Sequence, residues 1–229
     1  MEHIESQLEL LRKRLLSMTH VVTTQVQKSK QVLFQGDVAL ADEVITHDRK
    51  VNDIELQIDK DCKNILALYN PVAIDLRFIL ASLNISLNLE RIGDNAESIC
   101  YTVKEMDHKV YISMLEDFQL NQMFDKAIRM LEHIVKAIED KDTRLAGKTF
   151  KKDQFLNKVK QKSIPISIKL IKKRPDDVKE VLHLLNIVGK VERIGDLAKN
   201  ISEEIIFHIE AKVLKHAPAS LKGTKKKSS

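Results

Sequence analysis

Apolar side chains recur along this chain at alternating steps of three and four residues, the spacing of one buried face of an α-helix. The first such stripe runs through Ile4, Leu8, Leu11, Leu15, Met18 and Val22. Further stripes begin at Val51, Ile85, Leu120 and Ile187. The pattern predicts an all-α protein built from long helices that pack through their apolar faces.

Residues that favour turns are scarce, because the 229 residues include only six Gly and four Pro. This scarcity disfavours a sheet with many hairpins. Gly36 marks the end of the first predicted helix, and Asn70-Pro71 is predicted to be the N-cap and first position of the third. Pro165 is predicted to kink or interrupt a later helix that begins near Thr143.

One pentapeptide occurs twice, as Glu90-Arg91-Ile92-Gly93-Asp94 and again as Glu192-Arg193-Ile194-Gly195-Asp196, 102 positions later. The match extends beyond the pentapeptide, because ten of the seventeen residues from 83 to 99 are identical to those from 185 to 201. A repeat of this length indicates a tandem duplication of one folding unit.

The duplication predicts two tandem, pseudo-symmetric three-helix bundles with six long helices in all. The first bundle is predicted to span residues 1–108 and the second residues 109–214. Residues 215–229 lose the apolar periodicity and carry several lysines. They are predicted to form a basic, mobile tail.

Each pentapeptide places a Glu and an Asp four residues apart, so both carboxylates project from one face of a helix. That face points away from the apolar stripe. A neighbouring helix carries Asp48 and Asn52, whose counterparts 105 positions later are Asp153 and Asn157. Two helices of each bundle are therefore predicted to aim oxygen donors into one cleft. The predicted metal ligands are Asp48, Asn52, Glu90, Asp94, Asp153, Asn157, Glu192 and Asp196.

Oxygen donors suit hard cations better than soft ones. Two other interpretations remain open, because acidic side chains on a helix are often solvated or paired with a nearby Arg. Arg91 and Arg193 are placed for such pairing. Recurrence of the same acidic pattern in both halves is what favours a cation site.

The net charge of +5 conceals a strong asymmetry between the two halves. Residues 1–108 carry a net charge of −5, and residues 109–229 carry +10. Eleven basic side chains and one acid lie between residues 144 and 174. An alternative function is therefore a helical scaffold that binds an anionic membrane or nucleic acid through the basic second half. Aromatic content of only 4% gives no support for base stacking, and no nucleic acid is expected.

The two cysteines, the lack of an apolar N-terminal segment and the lack of a long apolar run predict a cytoplasmic protein. No Gly-rich phosphate loop or Cys/His zinc spacing is present. Glu105-x-x-His108 and Glu180-x-x-His183 have the spacing of di-metal oxidase ligands, but they do not occupy matching positions of the repeat. The chain is predicted to be no enzyme.

The repeated motif and the entry Pro71-Val72-Ala73-Ile74-Asp75-Leu76-Arg77 resemble the PhoU family of bacterial phosphate-transport regulators. The resemblance implies an adaptor between the ATPase subunit of the phosphate ABC transporter and a sensor histidine kinase, which restrains phosphate uptake and starvation signalling. A homo-oligomer, such as a dimer, is expected, and it is expected to be peripheral to the membrane through its partners.

Some members of that family resemble carriers of iron or zinc at these acidic motifs, which makes Glu90, Asp94, Glu192 and Asp196 candidate ligands here. The family often has Asp where this chain has Asn52 and Asn157, which removes one negative charge from each site. This difference favours a weaker Mg²⁺ or Ca²⁺ site.

Overall fold

The computed structural model of this chain describes residues 2–213, and every regular element in that range is helical. Two short helices are α4 (His108–Tyr111) and α6 (Thr143–Gly147), and 3₁₀ turns lie at Ile112–Met114 and Pro175–Asp177. The six long helices are α1 (Glu2–Gln35), α2 (Val38–Tyr69), α3 (Ala73–Lys104), α5 (Leu120–Asp140), α7 (Thr149–Lys173) and α8 (Val178–Glu210).

The long helices form two three-helix bundles in chain order. Helices α1, α2 and α3 pack against one another in the first, and α5, α7 and α8 in the second. This arrangement confirms the predicted all-α fold. The bundles also pack on each other, α3 against α8 and α1 against α5, and one cluster of buried apolar residues runs through both. The sequence stripes predicted the bundles but not this contact between them.

The predicted stripes are buried as their spacing requires. Leu11, Leu15, Met18 and Val22 line the inner face of α1 and are almost fully buried. The equivalent face of the last helix places Ile187, Val191, Ile194 and Ala198 in the core. Apolar area removed from water in this way is the main term that stabilises the fold.

One prediction about a helix end was wrong, and of the two effects predicted for Pro165 the interruption is wrong while the kink stays a prediction. Asn70 does not begin a helix but ends α2, with φ of 47° in the left-handed region, and α3 starts at Ala73 with Val72 as its N-cap. Asn adopts that conformation more readily than most residues. Pro165 does not interrupt α7, which runs through it to Lys173. Its ring lies on the exposed face, so the lost hydrogen bond opens no gap in the core.

The connection between the bundles is anchored to the end of α1. Tyr111 is fully buried, and its hydroxyl donates a hydrogen bond of 2.9 Å to the carbonyl oxygen of Leu33. The His108 ring packs so closely on Gly36 that a Cβ there would lie 2.7 Å from it. Gly36 also has φ of +67°, which favours glycine.

Tyr111→Phe is expected to lower the free energy of unfolding by about 1 kcal/mol, because the ring stays packed while one buried hydrogen bond is lost. Urea denaturation of both proteins measures the difference. Phe118→Leu, another fully buried ring of the same connection, reports the effect of packing alone. A Tyr111→Phe variant as stable as the wild type would show that this hydrogen bond does not hold the connection.

The predicted boundary at residues 108 and 109 falls in the short helix α4, and it stays a prediction. The predicted basic tail, residues 215–229, lies outside the described residues. No helix within residues 2–213 combines the length and the apolarity that crossing a bilayer requires.

Candidate metal centre

The repeated Gly lets α2 approach α3 closely beside the acidic residues of the first bundle. A Cβ added at Gly93 would lie 3.1 Å from the Asp48 carboxylate and 3.1 Å from the Gln25 side-chain oxygen. Those contacts are tighter than ordinary van der Waals contact. In the second bundle, a Cβ at Gly195 would lie 2.1 Å from the Leu156 side chain. A larger side chain at Gly93 or Gly195 would press against a neighbouring helix, which explains why both copies of the motif have glycine there.

Three carboxylates converge where α2 meets α3. Ligand oxygens of Asp48, Asp94 and Glu97 all lie within 4.8 Å of one another. Asp48 is only 6% exposed, Glu97 is half-buried, and Asp94 faces solvent. The cluster thus reaches from the bundle interior to the surface, so an ion has access to it from water.

Buried polar atoms at the inner end of this cluster lack hydrogen-bond partners within the described residues. They are the Oδ1 atom of Asp48 and both polar atoms of the Gln25 side chain, which is 3% exposed. The other carboxylate oxygen of Asp48 accepts a hydrogen bond of 3.2 Å from the Asn52 amide. Buried polar groups are rarely left unsatisfied, and Gln25 is close enough for its side chain to oppose, by hydrogen bonding, the rise that burial causes in the pKa of Asp48. The equivalent Oδ1 atom of Asp153 also lacks a partner, so this feature is shared by both bundles.

No Lys or Arg within residues 2–213 forms an ion pair with Asp48, Asp94 or Glu97. Burial and the nearby Asp94 carboxylate raise the pKa of Asp48 above its ordinary value. Burial and the charges of Asp48 and Asp94 likewise raise the pKa of Glu97. Burial and the charges of Asp94 and Glu55 raise the pKa of Glu90. A bound cation would relieve this mutual repulsion.

The raised pKa values predict how the stability of the metal-free protein depends on pH. The ordinary values are 3.8 for Asp48 and 4.5 for Glu97. Because the folded-state pKa values are higher, the folded protein binds these protons more tightly than the unfolded chain does. The resulting stabilisation is present below the ordinary values and is lost as the pH rises through the raised ones.

Glu97→Gln is therefore expected to be more stable than the wild type at pH 7 by up to about 1 kcal/mol, with a smaller difference at pH 4. Urea denaturation in the presence of a chelator at several pH values measures it. Glu116→Gln, which removes an exposed acid elsewhere, serves as the control. A Glu97→Gln variant whose advantage does not grow with pH would contradict the repulsion.

The equivalent residues of the second bundle have a different environment. The Lys199 ammonium lies 3.3 Å from Asp153 and 2.5 Å from Asp196. Asp196 also pairs with Arg193 at 3.1 Å, and the Asn157 amide donates to Asp153 at 3.2 Å. Burial alone would lower the pKa of Lys199, but the hydrogen bond to Asp196 and the charge of Asp153 outweigh it and raise that pKa.

A second basic side chain neutralises the remaining acid of this set, because Lys160 lies 2.6 Å from Glu192. Every predicted carboxylate of the second bundle thus has a basic partner. Those of the first bundle form no ion pair within the described residues, although the nearby charge of Arg91 opposes the rise in the pKa of Glu90.

The structure brings some of the predicted ligands together and leaves others apart. Asp48 and Asp94 belong to the cluster, and Asn52 contacts it only through its hydrogen bond to Asp48. Glu90 is outside the three-residue cluster. Whether any of the eight predicted residues binds a metal stays a prediction.

Glu97 was missed as a candidate ligand. It lies three residues after Asp94, so it shares the acidic face of the helix. It also differs from its repeat counterpart, Lys199, within an otherwise similar segment. Its place on the acidic face and its difference from Lys199 are both visible in the sequence, and either one identifies Glu97 as a candidate ligand.

Comparison with known proteins identifies the family. The family model for the PhoU domain matches residues 15–103 and again residues 120–205, which together make up most of the chain. The chain belongs to the PhoU family. The two PhoU domains coincide with the two bundles, since each match includes parts of three long helices.

Several proteins named as phosphate-specific transport system accessory proteins are similar to this chain. PhoU from Edwardsiella tarda is 30% identical, covering 92% of this chain and 86% of its own length. PhoU from Escherichia coli strain K12 is also 30% identical, with 94% and 90% covered. The PhoU homolog from Borreliella burgdorferi is 32% identical, with 89% and 93% covered.

Solved PhoU structures share the fold. The crystal structure of PhoU from Pseudomonas aeruginosa matches with a TM-score of 0.82 at 26% identity, covering 91% of this chain and 99% of that one. The phosphate transport system regulatory protein PhoU from Streptococcus pneumoniae has a TM-score of 0.77 at 23% identity, with 92% and 98% covered. At that identity the second likeness concerns the fold alone.

Proposed function

We propose that this PhoU protein is a negative regulator of phosphate uptake and of phosphate-starvation signalling. It acts without catalysis, as an adaptor between the ATPase subunit of the phosphate ABC transporter and a sensor histidine kinase in the cytoplasm. The observation that carries this proposal is the pair of PhoU domains, together with relatives named as accessory proteins of phosphate-specific transport over nearly their whole length.

Deleting the gene in its own host tests the regulatory role. We expect phosphate uptake and transcripts of the transporter genes to rise in medium with abundant phosphate, and the wild-type gene to restore both. A deletion strain that represses transport normally at high phosphate would refute the proposal. Co-purification of the tagged protein with the ATPase subunit and the kinase tests the adaptor role separately.

The charge asymmetry supports contact with more than one partner. The first half has a net charge of −5 and the second half +10, of which five charges come from lysines outside the described residues. This difference favours contacts with different proteins, or with the two ends of a homodimer. Lys152 illustrates how closely basic side chains are grouped in the second half. Burial and the charges of Lys126, Arg129 and Lys148 lower its pKa.

Charge reversal tests this division of surfaces. We expect Lys151→Glu, Lys152→Glu and Lys158→Glu, combined in one protein, to weaken co-purification with one partner by tenfold or more and to spare the other. Lys50→Glu and Lys60→Glu, two exposed positions of α2, form the control. Unchanged recovery of every partner would exclude the basic half as a docking surface.

We also propose that Asp48, Asp94 and Glu97 bind a divalent cation. Three carboxylates with no His or Cys in the cluster suit Mg²⁺, Mn²⁺ or Ca²⁺ better than Zn²⁺. The burial of Asp48 at 6% exposure, with no ion pair to any of the three acids within the described residues, supports this set. The ion would join α2 to α3 and neutralise the first bundle where its acids repel one another.

The basic side chains around His133 favour a second candidate function, binding of an anionic membrane surface. His133 lies among Lys136, Lys148 and Lys152, and burial together with these charges lowers its pKa. Titration with phosphatidylserine vesicles at rising salt distinguishes this function from the adaptor role. Saturable binding at ordinary ionic strength, lost in the triple Glu variant, would support it, and absence of binding would exclude it.

A further inference from the structure

We propose that Lys199 is a built-in cation, whose ammonium group takes the place in the second bundle that a metal ion takes in the first. The protein then has one exchangeable cation centre and one centre neutralised by its own side chain. The inference rests on the proposed metal site at Asp48, Asp94 and Glu97, and it concerns a different set of residues.

The contacts of Lys199 are those of a bridging ion. Its ammonium lies within hydrogen-bonding reach of Asp153 on α7 and of Asp196 on its own helix, α8. Asp153 is 5% exposed, so its charge depends on a nearby cation for compensation. The Lys199 side chain is itself only 21% exposed.

The repeat shows which residue has been exchanged. Lys199 stands 102 positions after Glu97, the same offset that relates the two pentapeptides and therefore Asp196 to Asp94. Asp153 stands 105 positions after Asp48, and each accepts a hydrogen bond of 3.2 Å from the Asn four residues later. The carboxylates from the two helices and the Asn are equivalent, and the third acid is replaced by a base.

A second exchange reinforces the first. Lys160 stands 105 positions after Glu55 and pairs with Glu192, the counterpart of Glu90. In the first bundle the corresponding pair is two acids, and Glu55 helps to raise the pKa of Glu90. Both exchanges convert repulsion into an ion pair, and both are on the side of the molecule with the positive net charge.

These exchanges make the second centre a poor metal site. A divalent ion would have to displace the Lys199 ammonium from Asp153 and Asp196. It would then remain close to the positive charges of Lys199 and Lys160. Arg193 also occupies one oxygen of Asp196. The acidic motif is intact in both bundles. Lys199, rather than a loss of that motif, therefore explains why only the first bundle is expected to bind a metal ion.

Equilibrium dialysis against Mn²⁺, followed by elemental analysis, tests the inference. We expect the wild type to bind Mn²⁺ through the first centre, D94N to lose that binding and D153N to keep it. K199E, which restores the acid of the first repeat, should bind one further Mn²⁺ per chain, and K199E/D94N should keep only this new ion. Far-UV circular dichroism checks that each variant is folded.

The outcomes separate the two proposals. If the wild type binds no Mn²⁺ but K199E binds one, the first centre is refuted while the role of Lys199 stands. If wild-type binding is reduced by D153N, or if folded K199E gains no ion, the role of Lys199 is overturned. Should K199E fail to fold, the D153N measurement still decides, because it needs only Asp153 to be exchanged.

Discussion

Lys199→Met lowers the free energy of unfolding by about 2–3 kcal/mol at pH 7. Removing one partner of a fully buried ion pair costs about 3–5 kcal/mol, because the other charge stays buried without compensation. The lower figure applies because Lys199 and Asp196 are partly exposed, at 21% and 30%, whereas Asp153 is almost fully buried. Methionine is unbranched and only one heavy atom shorter than lysine, so packing changes little. Urea denaturation measures the loss.

The repeat supplies a matched control for this prediction. Glu97→Gln at the equivalent position of the first bundle removes a like charge and is expected to stabilise the metal-free protein. The double variant Asp153→Asn with Lys199→Met should recover most of the loss, since it no longer buries an uncompensated carboxylate. A loss of similar size at Glu97 and at Lys199 would contradict the difference between the two centres.

A divalent cation raises the stability of the wild type and has little effect on Asp48→Asn. At a free concentration one hundred times its dissociation constant, a ligand that binds only the folded state adds about 2.7 kcal/mol. For a chain of this size that corresponds to a rise in Tm of roughly 5–10 °C. Thermal unfolding monitored by circular dichroism, with increasing Mn²⁺ and with a chelator, measures the shift.

Asp153→Asn is the control in the second bundle, because it removes the equivalent carboxylate without touching the first centre. It should show the same Mn²⁺-dependent rise as the wild type. A rise that survives Asp48→Asn, or that Asp153→Asn abolishes, would place the cation elsewhere. The chelated proteins also report whether Asp48→Asn alone changes stability, so the effect of the metal is separated from that of the mutation.

Helices, bundles and the paired acidic motif followed from the sequence for physical reasons. A stripe such as Ile187, Val191 and Ile194 has one low-energy placement, which is against other apolar faces. The duplication added a second constraint, because the helices predicted for one bundle had to match those predicted for the other. Asp48 and Asp94 were brought together by the prediction because the apolar stripes fix the orientation of two neighbouring helices, and with it the direction of their acidic faces.

Other features depend on tertiary contacts that periodicity does not encode. Asn70 is compatible with starting a helix or with ending one in the left-handed region, and the surrounding packing selected the second. The burial of Asp48 depends on how closely Gly93 lets two helices approach. The ion pairs of Lys199 form in only one of the many rotamers open to a long side chain. The spacing of residues in the sequence does not determine which rotamer is adopted.

The two centres give a duplicated protein two unequal halves. One half is predicted to respond to the cation concentration, whereas in the other the charges of the acids are compensated by ion pairs with Lys199 and Lys160. A protein with such halves would present one adjustable surface and one constant surface. This division agrees with the charge asymmetry between residues 1–108 and 109–229.

Anomalous diffraction from crystals soaked in Mn²⁺ tests the central claim most directly. We expect an anomalous difference peak between Asp48, Asp94 and Glu97, and none between Asp153 and Asp196, where the Lys199 ammonium should remain in contact with both carboxylates. A Mn²⁺ peak at the second position with Lys199 displaced, or no peak at the first position in a fully soaked crystal, would contradict it.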